Sequence, residues 1–83
     1  MTLTPTTLSP ALIDEVNTLL LYDVTDPQAG IKVHKEAGEA KISAARRLHD
    51  KGLVTQPDGG YLTILGREAA EHLNMAHTIL TTG

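Results

Sequence analysis

The chain has 83 residues, a net charge of −3, and no Phe, Trp or Cys. This length predicts one domain with a thin margin of stability, and the missing cysteine excludes disulfides, thiolate metal sites and a cysteine nucleophile. No apolar run reaches 18 residues and no signal-peptide pattern is present, so we expect no transmembrane helix and a cytoplasmic protein.

The first predicted element is a helix that begins at Ser9-Pro10 and runs to about Tyr22. Ser9 can cap the first turn, and proline suits the first helical position because its missing N–H would have no partner there. Residues 1–8 are expected to be a flexible lead and residues 9–83 a single domain. The predicted inward face repeats at helical spacing and comprises Leu12, Ile13, Val16, Leu19 and Leu20.

A loop at residues 23–27 and a short strand at residues 30–34 are predicted next, the strand with Ile31 and Val33 inward. A second helix is predicted to begin within residues 36–39 and to end at Lys51. Gly52 can adopt the left-handed conformation that closes a helix, and Leu53 can then fold back on Leu48.

A hairpin and a third helix complete the chain. Residues 53–55 and 61–63 favour strands, and Gln56-Pro57-Asp58-Gly59 matches a tight turn between them. Thr63 can cap a helix that continues to Leu80. The predicted inward face of this helix consists of Leu65, Ala69, His72, Leu73, Ala76, Ile79 and Leu80.

The run Lys51-Gly52-Leu53-Val54, followed by Leu62-Thr63 and Gly66, resembles winged-helix transcription regulators. In those proteins such runs end the recognition helix and open the next helix. From about Ser9 to Leu80 the chain also resembles a small gammaproteobacterial family of unestablished function, some of whose members are labelled DNA-binding or transcriptional regulators. The resemblance implies an α+β, winged-helix-like fold of order α-β-α-β-β-α, with a small three-stranded antiparallel sheet.

The charges favour the second helix as the candidate DNA-binding element. Residues 32–51 hold six Lys or Arg against three carboxylates, whereas the rest of the chain holds one Arg against seven. The side of the helix opposite Ile42, Ala45, Leu48 and His49 is expected to face water, with Ala40, Ala44 and both adjacent arginines on it. In a major groove of double-stranded DNA, Ser43, Arg46 and Arg47 would face the duplex, while Lys35, Lys41 and Lys51 would hold phosphates.

The alternative function is a non-catalytic module for protein interaction or dimerisation, with the charged helix simply solvated. The hairpin turn has an Asp and no Lys or Arg, although a wing that holds phosphate normally has positive charge. The apolar stripe of the third helix is longer than one short helix can cover. This favours a homodimer with an interface at Leu73, Ala76, Ile79 and Leu80.

Patterns for catalysis and for cofactors are missing from the sequence. It contains neither a Gly-x-Ser-x-Gly motif nor a phosphate-binding glycine loop, and Asp14 and Glu15 are adjacent and so point to different sides of their helix. His72 and His77 miss the spacing of two metal ligands on one helical face, and His49 is expected to be partly buried. We therefore expect no enzyme activity, cofactor, metal, membrane partner or small-molecule substrate.

Overall fold

The computed structural model describes residues 6–82. Its elements are α1 (Pro10–Leu19), β1 (Ile31–Lys32), a 3₁₀ turn (Lys35–Ala37), α2 (Glu39–Asp50), β2 (Val54–Gln56), β3 (Gly59–Leu62) and α3 (Ile64–Thr81). The α+β class and the order α-β-α-β-β-α are confirmed. Residues 1–5 of the predicted flexible lead lie outside the described residues. None of the helices within residues 6–82 is long and apolar enough to cross a bilayer.

The helix α1 begins as predicted and ends earlier. The Ser9 hydroxyl accepts a hydrogen bond from the N–H of Leu12 at 3.1 Å, and Pro10 occupies the first turn. The helix stops at Leu19 rather than near Tyr22. Four residues beyond Leu19, the Asp23 carboxylate accepts from the N–H of Thr25 at 2.9 Å, a local bond that competes with helical hydrogen bonding.

The three strands form one antiparallel sheet in the order β1-β3-β2. Ile31 pairs with Gly60 and Lys32 with Gly59. The strand β1 is shorter than predicted because its partner β3 begins only at Gly59. The N–H of Val33 continues the same register and donates to the carbonyl of Asp58 in the hairpin turn at 2.8 Å. The hairpin itself, with its turn between Gln56 and Gly59, is confirmed.

The end of α2 confirms the predicted cap. Gly52 has φ +77°, and its N–H donates to the carbonyl of His49 at 3.0 Å. The N–H of Leu53 reaches back to the carbonyl of Leu48 at 2.9 Å. These two bonds define a Schellman motif, which satisfies carbonyls that the helix end would otherwise leave unpaired.

The start of α3 is joined to that cap. The Thr63 hydroxyl accepts from the N–H of Gly66 at 3.0 Å and donates to the carbonyl of Gly52 at 2.7 Å. The N–H of Thr63 donates to the carbonyl of Leu53 at 3.1 Å. A Cβ added at Gly66 would lie 1.8 Å from that same carbonyl oxygen. Only glycine therefore lets α3 approach the end of α2 this closely.

The core lies where α1, α2 and the hairpin meet. Leu19, Tyr22, Leu48 and Val54 form its buried cluster. Half-buried apolar side chains surround it, namely Ile31, Leu53, Leu62, Ala69 and Leu73. With no Phe or Trp, the core consists of aliphatic side chains and Tyr22, and the close backbone contact at Gly66 adds to this packing.

Two predicted helix faces need correction. In α1 the most buried residues are Glu15, Thr18 and Leu19, while Leu12 and Ile13 stay exposed. In α3 only Gly66 and Ala70 are buried. Leu73 and Ala69 are partly covered, but the rest of the predicted inward face is exposed, namely Leu65, His72, Ala76, Ile79 and Leu80. Because Gly66 lies against Leu53, the side of α3 that carries Gly66 and Ala70 faces the domain. The predicted face of large apolar side chains does not.

We expect Gly66→Ala to lower the free energy of unfolding by about 2 kcal/mol or more, because the new methyl group collides with the Leu53 carbonyl. In an ordinary helix interior, replacing glycine by alanine is stabilising by up to about 1 kcal/mol. The sign of the change in free energy of unfolding therefore distinguishes the close contact from an ordinary helix position. Urea unfolding followed by far-ultraviolet circular dichroism measures it. Glu68→Ala, at an exposed position of the same helix, should stay within about 0.5 kcal/mol of wild type. A Gly66→Ala variant as stable as wild type would contradict the contact.

Candidate functional site

The predicted DNA-binding helix α2 is enclosed on two sides. It packs against α1 on one side and against β2 and β3 on the other. Ala44 and Ala45 are both fully buried. Ala44 was expected on the open side, and this expectation is wrong. Ala44 precedes Arg47 by three residues and so shares its side of α2, which α1 approaches.

Arg47 and Lys51 meet a carboxylate of α1. The Arg47 Nε lies 3.0 Å from Glu15 Oε2, and the Arg47 Nη2 donates to the carbonyl of Ala11 at 3.1 Å. The Lys51 ammonium donates to the other oxygen, Glu15 Oε1. The expectation that both adjacent guanidinium groups point into water is wrong for Arg47, since α1 brings a buried carboxylate onto that side of α2.

Glu15 is only 4% exposed. Burial alone would raise the pKa of its carboxyl, but hydrogen bonds and positive charge from Lys51 and Arg47 outweigh burial and lower the pKa. The carboxylate is therefore ionised at neutral pH, with each oxygen bound to one cation. Two of the six predicted DNA contacts are thus engaged within the domain.

A sequence signal for this cluster exists. Glu15 stands between Leu12 and Leu19 at spacings of three and four residues, so it lies within the apolar face of α1. A carboxylate in such a face requires a buried partner, and Arg47 and Lys51 are one helical turn apart on another element. The sequence could have suggested that Glu15 pairs with cations such as Arg47 and Lys51. It could not have shown that these residues lie close together.

The remaining predicted contacts do not share one face with the Glu15 cluster. Lys41 lines a shallow cleft beside α1, whereas Arg46 lies against the hairpin turn. Lys35 is exposed in the 3₁₀ turn. The Ser43 hydroxyl lies 3.4 Å from a carboxylate oxygen of Glu39. The structure thus distributes the six residues over at least three surroundings.

The net charge around α2 is small. Residues 32–51 hold six cations and three carboxylates, and Glu15 of α1 adds a fourth carboxylate. The hairpin turn adds Asp58 and no cation, so six cations face five carboxylates. Phosphate contacts account for most non-specific DNA affinity, so such a balance offers little electrostatic attraction to a duplex.

Apolar clefts flank the contact between α1 and α3. One, of about 370 Å³, lies between α1, the end of α2 and the first half of α3. The other, of about 360 Å³, lies between α1 and the second half of α3. The apolar residues lining this second cleft are Leu8, Ile13, Val16, Leu20, Leu73, Ala76 and Leu80.

The second half of α3 exposes large apolar side chains beside these clefts. Ile79 is 67% exposed and Leu80 83% exposed, and Met75 is also exposed. Residues 72–82 contain no Asp, Glu, Lys or Arg. Of the predicted dimer-interface residues, Leu73 is half-buried, and Ala76, Ile79 and Leu80 are open to solvent.

The histidines do not assemble a metal site in the part of the chain that the structure describes. Within residues 6–82 no group of three or more His, Asp or Glu side chains is placed to hold a metal ion. His49 is half-buried, and its Nδ1 lies 3.9 Å from the carboxylate of Asp50.

A family model, described as a family of unknown function (DUF5669), matches residues 6–81. The chain belongs to this family. No curated protein and no solved structure matches the chain significantly. Because the function of DUF5669 is unknown, membership supports no particular activity, and no named relative supports DNA binding.

In this DUF5669 chain we expect Glu15→Gln to lower the free energy of unfolding at pH 7 by about 1.5–3 kcal/mol, the range for hydrogen bonds to charged groups. The lowered pKa of Glu15 contributes stability that is present above the ordinary value of 4.5. That stability disappears as the pH falls through the folded-state value. The difference in free energy of unfolding between wild type and Glu15→Gln should therefore become smaller as the pH falls below 4.5. Urea titrations at several pH values would measure it.

Asp14→Asn is the matched control, because it removes the neighbouring carboxylate, which forms no salt bridge within residues 6–82. It should change stability by less than about 0.5 kcal/mol. Equal stability of Glu15→Gln and wild type at pH 7 would contradict the importance of the cluster.

Proposed function

We propose that the protein is a winged-helix-like, non-catalytic interaction module that forms a homodimer through α1 and α3. The observation that supports this is the uncovered second half of α3. Its apolar side chains lie next to an apolar cleft of the same chain. Monomeric proteins rarely leave contiguous apolar surface of this kind in water.

A two-fold axis suits these two features. A cleft and a protruding apolar helix end lie side by side on one chain, so the helix end of one copy can enter the cleft of the other, and the reverse. This is the self-complementary arrangement of closed dimers. The buried side chains would contribute roughly 25 cal/mol per Å² of apolar surface removed from water.

Charge also favours a second copy as the occupant. Two copies of a chain with net charge −3 repel each other overall. Residues 72–82 have no formally charged side chain, so like-charge repulsion is weakest there. An uncharged face also offers no complementary charges with which to select a different, charged partner.

The winged-helix-like architecture is supported by topology. The strand β1 pairs with β3 rather than with β2, and α2 ends directly at the hairpin, which would be the wing. The helix that usually precedes a recognition helix is reduced here to the 3₁₀ turn Lys35–Ala37.

Binding of double-stranded DNA is a second candidate function. Four cations between residues 32 and 46 favour it, because they form no salt bridge within residues 6–82. They are Lys32, Lys35, Lys41 and Arg46. A dimer would present this set twice, so that two modest basic surfaces could act on one duplex.

For the homodimer, light scattering coupled to gel filtration should give twice the chain mass at high micromolar concentration. Leu80→Asp should raise the dimer dissociation constant by at least about tenfold, because it places a charge in the apolar contact. The monomer fold should persist, since Leu80 is exposed in the single chain.

Ile64→Asp is the matched control for that experiment. Ile64 is 92% exposed and lies at the opposite end of α3, among none of the residues lining the two apolar clefts. It should leave the dimer intact. A wild-type protein that stays monomeric at high micromolar concentration, or equal weakening by both variants, would refute the proposed interface.

For DNA, fluorescence anisotropy at low salt should show wild-type binding that Arg46→Ala weakens, with the salt slope reduced by about one. Arg47→Ala should act mainly through stability, since its guanidinium group holds Glu15. Absence of wild-type binding to any duplex at low salt would remove this second function.

A further inference from the structure

A separate cleft, of about 350 Å³, lies between α2, the end of β1 and the hairpin turn. Its walls therefore come from three separate segments of the chain. Three apolar side chains and three polar ones line it: Val33, Ile42 and Pro57, and Arg46, Gln56 and Asp58. Its volume lies at the lower end of the range for small-ligand sites.

Two opposite charges at this cleft are not engaged with each other. Within residues 6–82, neither the Arg46 guanidinium nor the Asp58 carboxylate forms a salt bridge. The backbone of Lys32 pairs with that of Gly59, the residue after Asp58. Within residues 6–82 the Lys32 ammonium forms no salt bridge with Asp58 or any other carboxylate. The cleft therefore offers one cation and one anion beside an apolar wall.

The charge of Asp58 also acts on Tyr22 of the core. The Tyr22 hydroxyl is buried and lacks a hydrogen-bond partner within the described residues. Burial first, and the negative charge of Asp58 second, raise the pKa of Tyr22 to about 12. The Asp58 carboxylate therefore lies close to the apolar interior, where the dielectric constant is low. A positive charge bound beside Asp58 would be attracted more strongly there than in water.

We propose that this cleft binds a small zwitterion with an aliphatic side chain, that is, a free α-amino acid of the leucine or valine class. Its carboxylate would lie on Arg46, its ammonium on Asp58, and its side chain against Val33, Ile42 and Pro57. This site shares no lining residue with the two apolar clefts between α1 and α3, so it does not rest on the proposed dimer.

Ligands with a single charge fit this site less well. A phosphate or phosphodiester would satisfy Arg46 and be repelled by Asp58, and a simple cation would meet the reverse. A neutral apolar molecule would remove water from both charged groups without replacing their hydrogen bonds. Only a ligand with both charges is attracted by both Arg46 and Asp58. Ligands with one charge or none are rejected because one of these two groups repels them or stays unpaired.

Heteronuclear NMR titration of the full chain with L-leucine tests this. We expect saturable shifts of the backbone amides of Val33, Ile42, Gln56 and Gly59 at millimolar ligand. Two analogues isolate the charges: 4-methylpentanoate lacks the ammonium group, and 3-methylbutylamine lacks the carboxylate. Each should bind at least about tenfold more weakly than L-leucine.

Arg46→Gln and Asp58→Asn should each weaken L-leucine binding by at least about tenfold, and unchanged amide dispersion elsewhere confirms that each variant is folded. Asp50→Asn is the matched control, since it removes an exposed carboxylate of α2 that does not line the cleft. It should bind like wild type. Three results would each overturn the proposal: no saturable shift in wild type, analogues that bind as tightly as L-leucine, or folded Arg46 and Asp58 variants with unchanged affinity.

Discussion

The backbone of Leu53 joins the two longest helices to the hairpin. Its N–H closes α2 through the carbonyl of Leu48, and its carbonyl accepts from the N–H of Thr63. Gly66 lies so close to that carbonyl that a Cβ there would be 1.8 Å away. Backbone contacts therefore hold the start of α3 against the end of α2. A chain of 83 residues without Phe or Trp has few large side chains to add to this contact, because its core is small.

The same contact explains which features could be predicted from sequence. Helix ends depend on neighbouring residues, so Ser9, Gly52 and Thr63 identified them correctly. The inward face of α3 depends on Gly66, a residue with no side chain to register in an apolar stripe. Ala44 is similarly ambiguous, since alanine fits both a buried contact and an exposed helix. The faces of helices were therefore predicted less well than their ends.

The Glu15 cluster determines how α1 sits on α2. A buried ion pair is often no more stabilising than apolar side chains of the same size, but it is costly to disrupt. Sliding α1 along α2 would leave the carboxylate buried without Arg47 or Lys51. The cluster therefore fixes the register of the two helices. It also pairs two surface cations with a buried carboxylate, and the sequence alone could not show this because the three residues are distant along the chain.

The 18-residue helix α3 is anchored mainly at one end. Thr63 and Gly66 fix its first turn, whereas from Met75 onward every described side chain is exposed. Helices in water owe most of their stability to packing of an apolar face, so the second half has little tertiary support within one chain. Association through that half would supply the missing contacts, and the stability of the domain would then rise with protein concentration. The proposed homodimer would in this way depend on the fold, since the close contact at Gly66 leaves the apolar stripe of α3 exposed.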